Sequence, residues 1–189
     1  SARIVFESPL LGLASELPAP LGKAAEDSLP LRVEIVPDAS GDRISLILGR
    51  LLAGELQRRR EGDALVVQRA GIGLAQSARL PERSGLIVAG VLPALSLDSW
   101  RPLLSGADAL GSGAASFDLK LGTLDAFGKR LNDVALRAGT DAGGWQANLS
   151  AIEMAGELTY RGEGRGRLRA RLAHFTPPED APGAKSDGG

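Results

Sequence analysis

The 189-residue chain is 43% hydrophobic but only 4% aromatic, and its 22 lysines and arginines against 23 acids leave a formal charge of −1, which removes the electrostatic case for nucleic acid or an anionic membrane surface as partner. With no cysteine and one histidine, disulfides are excluded, a His/Cys metal site nearly so, and no cofactor is expected. No run of about eighteen apolar residues occurs and no basic stretch leads into an apolar signal core, so no segment is expected to span a membrane.

The chain starts at Ser1 and enters a strand-like segment, Ala2 to Glu7, which reads as a piece of a longer protein. GLASELPAPLGKAAEDSLPLR follows, and its prolines at 18, 20 and 30 forbid a continuous helix, so it is read as a connection wrapped over a surface. Leu31 to Pro37 is a short strand with Leu31, Val33 and Ile35 on one side. After a DASGDR turn, Ile44 to Arg58 reads as one long element, bulged or bent at Gly49 or Gly54. EGD at 61 to 63 is a hairpin turn, and ALVVQRAGIGLAQSA pairs back. Arg83 to Pro93, RSGLIVAGVLP, is apolar at nearly every position and is expected to be covered on both faces. LSLDSWRPLLSG is the one short helix, capped by Asp98, with Pro102 in its first turn, Gly106 as its stop and Trp100 against the sheet edge. ADALGSGAA is a loop, and a sub-boundary is placed near 105–115.

From Phe117 to Phe175 the pattern of strand, polar turn and strand recurs. FDLKLGTL puts Phe117, Leu119 and Leu121 on one face; NDVALRAG puts Val134, Leu136 and Ala138 there, WQANLSA Trp145, Ala147 and Leu149, and GRLRARLAHF Leu168, Ala170 and Leu172. Side chains alternate across a strand, so the pattern makes a sheet with one apolar and one wet side, which antiparallel sheets tolerate. The expected fold is therefore mostly β: a curved or rolled, mainly antiparallel sheet, groove-like or sandwich-like, over residues 1–176. Residues 177–189, rich in Pro, Gly and charge, are expected to form a disordered tail.

Candidate catalytic features do not hold together. His174 has no second histidine or cysteine for a relay, GEGRG at 162 to 166 sits between strands rather than before a helix, and GSG at 111 to 113 lacks the spacing of a nucleophile elbow. Arg58, Arg59 and Arg60 read as a solvated hairpin end, and the Arg167, Arg169 and Arg171 row as balanced by Glu157 and Glu163. No catalytic residue is assigned. The apolar face has two readings: the sealed core of a structural or protein-binding sandwich, or a groove for something flexible and apolar.

Three stretches, GLASELPAPLGKAAEDSLPLRVEI, ARLPERSGLIVAGVLPALSLDSW and GKRLNDVALRAGTDAGGWQANLSAIEMAGELTYRGEGRGRLRARLAHF, resemble the periplasmic region of the YhdP family of AsmA-like proteins in motif, order and spacing, from about residue 12 to 175. The resemblance implies one section of a long, inner-membrane-anchored envelope protein whose periplasmic body is a rolled sheet carrying phospholipid toward the outer membrane. It implies acyl chains and the rest of the same polypeptide as partners. The lipid-contact candidates are then Phe117, Leu119, Leu121, Val134, Leu136, Trp145, Leu149, Leu168 and Leu172.

Overall fold

The structure is a computed structural model and describes residues 2–104, 114–141, 143–162 and 166–183. Its strands are β1 (Ile4–Ser8), β2 (Leu31–Pro37), β3 (Gly41–Leu48), β4 (Leu52–Glu61), β5 (Ala64–Leu74), β6 (Gly85–Ser96), β7 (Ala114–Ala126), β8 (Lys129–Asp141), β9 (Gly144–Ser150), β10 (Met154–Arg161) and β11 (Arg167–Phe175). Among the described residues one helix, α1 (Leu97–Leu104), lies in the sequence between β6 and β7. The strands form a single open sheet in which order in space equals order in sequence. Neighbours are antiparallel except β6, which runs parallel to both β5 and β7.

The two parallel pairings require the chain to return across the sheet before and after β6. Residues 75–84 make the first return and press on β5, where a Cβ at Gly71 would strike the Arg79 carbonyl oxygen and one at Gly73 that of Gln76. Only glycine admits a backbone this close. The second return begins with α1, whose N-terminus is capped by Ser96: its hydroxyl accepts the Ser99 N–H at 3.3 Å. Asp98, expected to be the cap, instead accepts the N–H groups of Phe127 (2.8 Å) and Gly128 (2.9 Å) and latches the β7–β8 hairpin to the helix. Trp100 is half-buried and donates its indole N–H to the Ala19 carbonyl at 3.0 Å. It therefore meets the long β1–β2 connection at the end of central strands, not a sheet edge. Gly106 and the GSG at 111–113 lie outside the described residues. The suggested sub-boundary near 105–115 also lies mostly there, yet β6 and β7 on either side of it pair from Gly85↔Ala114 to Ser96↔Asp125 within the same sheet.

Three expectations about single elements are corrected. Ile44 to Arg58 is not one bent strand: Gly49, with φ +53°, opens a turn that separates β3 from β4. Gly54 stays inside β4, and the irregularity falls at Gln57/Arg58. β6 is unequally covered on its two faces: Leu86 and Leu92 are buried on one, while on the other Ile87 and Ala89 are half-buried and Val91 is 56% exposed. The stretch expected to trail off after Thr176 is held as far as Ala181. Thr176 N–H binds the Glu153 carbonyl (2.6 Å), Ala181 N–H that of Gly128 (2.9 Å), and Lys129 pairs with Asp180 (2.6 Å). Ala181 is buried.

The core lies at the end of the sheet where β6 and β7 finish. Leu92, Leu119, Leu121, Leu124, Leu131, Val134 and Ala151 form it, with Val88, Leu95, Leu136, Leu149 and Met154 packed against them. The alternation changes step here: Leu92 is followed by Leu95, Leu121 by Leu124, and Leu131 by Val134, three residues apart rather than two. Between them lie Pro93, Gly122 and Asp133, the last with φ +52°. This interruption in three adjacent strands lets the apolar residues on both sides of it face the same core.

Candidate functional site

Pairing register fixes which residues share a face, because directly opposed side chains lie on the same side of a sheet. Followed from β1 to β11, one line of partners reads Phe6, Val33, Leu46, Gly54, Ile72, Val88, Phe117, Ala138, Ala147, Leu158 and Ala170. Not one side chain in it is polar. The adjacent line reads Ser8, Leu31, Leu48, Leu52, Leu74, Gly90, Leu119, Leu136, Leu149, Gly156 and Leu172, with Ser8 its only polar member. At about 4.8 Å between strands these lines run roughly 48 Å across the sheet. The other face carries the charges. Glu7, Arg32 and Glu34 pair on it, Arg3 reaches Glu34 at 3.2 Å, and Glu157 stands opposite Arg171. Glu163, the other expected partner of the arginine row, is outside the described residues.

All nine sequence-derived candidates fall on the apolar face, but not equally open to water. Leu119, Leu121 and Val134 are buried in the core, with Leu136 and Leu149 packed on it and Phe117 half-buried. Trp145 is 37% exposed and stacks on Tyr160 with ring centroids 6.1 Å apart; Leu172 and Leu168 are half to two-thirds exposed. At the opposite edge Ile4 and Phe6 are equally open. The middle of the face is thus self-covered near one end of the strands, and both flanks are bare. The total accessible surface, 12675 Å², decides that this is an open sheet. A compact 19.6 kDa protein would expose about 8,600 Å².

Sequence reasoning confined the site to β7–β11 and missed its continuation over β1–β6. The signal was present in Leu31, Val33 and Ile35 and in Ile44, Leu46 and Leu48, which alternate in the same way. It also missed one ion pair on the apolar face. Asp42, buried, accepts from Arg58 Nε at 2.8 Å and Nη2 at 2.5 Å. The guanidinium holds the Asp42 carboxyl below the usual carboxylate range. Both residues occupy apolar positions of their strands, Asp42 in step with Ile44 and Arg58 in step with Leu56, and that breach of alternation could have revealed the pair.

His174 donates Nε2–H to the Ile152 carbonyl at 3.0 Å, a structural contact of the kind expected for it. Among the described residues no group of three His, Cys, Asp or Glu side chains is placed to hold a metal, and no helix is long and apolar enough to cross a membrane. What the site can do chemically is offer extended, water-exposed apolar contact beside polar rims. A family model described as YhdP protein matches residues 1–187. No curated protein and no solved structure matches the chain.

Proposed function

The chain belongs to the YhdP family, and on that premise we propose that its apolar face is a section of a track along which phospholipid passes between the inner and outer membranes through the periplasm, supporting envelope integrity. The observation that carries this reading is the pair of apolar lines crossing all eleven strands, bare to water at both flanks. A two-chain lipid has on the order of thirty methylenes, and at about 0.8 kcal/mol each their exposure to water costs more than 20 kcal/mol. A path through an aqueous compartment therefore needs continuous apolar contact, with the headgroup left in water. An open sheet meets both needs, and passage along it breaks no covalent bond.

The edges fit a section of a longer body. β1 and β11 each pair on one side only within this sheet, leaving a row of backbone donors and acceptors for further strands of the same polypeptide. The test is native mass spectrometry of the chain with extracted envelope lipids, together with quenching by brominated-chain lipid. Discrete phospholipid adducts are expected, with Trp145 quenched more than the half-buried Trp100. No adducts and equal quenching would favour the alternative of a sealed structural sheet.

A further inference from the structure

The sheet is polarised along its strands. At the end where β1 finishes and β7 turns into β8, the connections expose large apolar residues: Leu11, Leu13, Phe127 and Ile152 are each more than 60% exposed. At the opposite end the turns carry Asp38 and Ser40, Gly62 and Asp63, Gly143, and Gly162. An amphipathic molecule lying on the apolar face along this axis would direct its polar end toward the second set of turns.

Two cations stand at that end on the apolar face itself. The pairing of Asp42 with Arg58, in step with Ile44 and Leu56, puts Arg58 on this face, and alternation along β4 puts Arg60 there as well, with Arg59 on the other. Their partners across the β4–β5 pair are Val67 and Leu65, which are 36% and 39% exposed. Arg58 gives Nε and Nη2 to Asp42, so its Nη1 donors remain. Among the described residues Arg60 has no ion-pair partner. A cation on a greasy face gains nothing there from packing its charged head, whereas cationic donors beside exposed valine and leucine match an anion attached to a hydrocarbon.

We propose that Arg60, with the free nitrogen of Arg58, binds the phosphate of a lipid whose chains lie against Leu65, Val67 and the apolar lines beyond. Asp42 is a positioning residue: by accepting from Nε and Nη2 it fixes the Arg58 guanidinium and leaves Nη1 for the phosphate. This rests on the lipid-track reading and adds to it the group that is recognised and the end of the sheet where it sits.

Capture of phosphatidic acid and of diacylglycerol with the same acyl chains, each presented to the full chain, tests it. The wild-type chain should retain phosphatidic acid about tenfold better, the worth of one charge-assisted contact. Arg60→Gln should lose most of that preference and Arg60→Lys keep part of it, while Arg59→Gln, on the other face, should behave as wild type. Melting temperatures of the three variants serve as the check on folding. Equal preference in Arg60→Gln and Arg59→Gln, with diacylglycerol still retained, overturns the phosphate site and leaves the track standing. Retention of neither lipid overturns both. Inorganic phosphate that binds as tightly as phosphatidic acid, and is lost in Arg60→Gln, overturns the lipid assignment in favour of a free anion.

Discussion

Placing one carboxylate at two positions on the same face separates covered from open surface. Leu121 is 3% exposed, so Leu121→Asp forfeits nearly the whole burial of a leucine, about 2 to 3 kcal/mol, and also puts a carboxyl where no partner exists. That group must be desolvated or carry its proton at neutral pH, adding several kcal/mol more. The sum approaches the entire stability of an ordinary domain, and the variant should not fold. Leu168 is 62% exposed, which leaves little over a third of its side chain to lose, about 1 kcal/mol, and its carboxylate stays hydrated. Leu168→Asp should therefore melt within about 2 to 4 °C of wild type. Thermal melts by circular dichroism, read beside lipid capture by the same variants, check this. If Leu168→Asp melts as low as Leu121→Asp, the flank is covered in solution and the open-face reasoning fails. If it folds and captures lipid as wild type does, lipid does not pass over β11.

Acid should loosen the structure from particular places. Asp98 is held below its usual pKa by the Gly128 and Phe127 N–H groups, Glu153 by the Asn132 N–H, and Asp42 by Arg58. Each carboxylate binds its proton less tightly folded than unfolded, so its stabilisation is complete above the ordinary carboxylate pKa of about 4 and is lost as pH falls through the depressed folded value; urea midpoints should be flat from pH 7 to 5 and fall below 4, less so in Asp98→Asn. Gly71→Ala drives a methyl into the backbone of the 75–84 return and should cost about 1 to 3 kcal/mol or more, measured by urea unfolding, while Gly54→Ala, whose methyl would meet Leu46 at ordinary contact distance, should cost less. Amide exchange at Ala181 should be slowed by its bond to the Gly128 carbonyl, and exchange as fast as in an unstructured peptide would refute the docking of this segment.

Strands were legible in the sequence wherever alternation was unbroken, as in FDLKL or WQANLSA, because period two has one structural meaning. Alternation does not say which strand lies beside which, so the parallel placement of β6 was invisible even though its continuous apolar run marked it as unusual. The Gly49 turn was misread as a bend, since a glycine between two apolar runs fits either until the register of Leu48 with Leu52 is known. Asp98 has the right residue type and place for a cap, but Ser96 reaches the free N–H first and leaves Asp98 to a hairpin twenty-nine residues away. The extent of the site had the same limit. The four strands with the plainest repeat, β7, β8, β9 and β11, were assigned to it, and β10 and the six strands before β7 share its face only through the pairing.

Identity of spatial and sequence order has a kinetic side. Every strand meets the strand just made, and apart from the long β1–β2 connection and the returns around β6 each pairing closes a short loop, so most contacts are local. Stability is then close to a sum of neighbour terms along the chain, as in an array, and the sheet opens by fraying from β1 or β11 rather than all at once. Two of the longer loops sit in the middle: β6 closes both and contributes Leu92 to the densest packing. Shortening the chain by one strand at either margin removes one neighbour term, whereas deleting β6 divides the array in two.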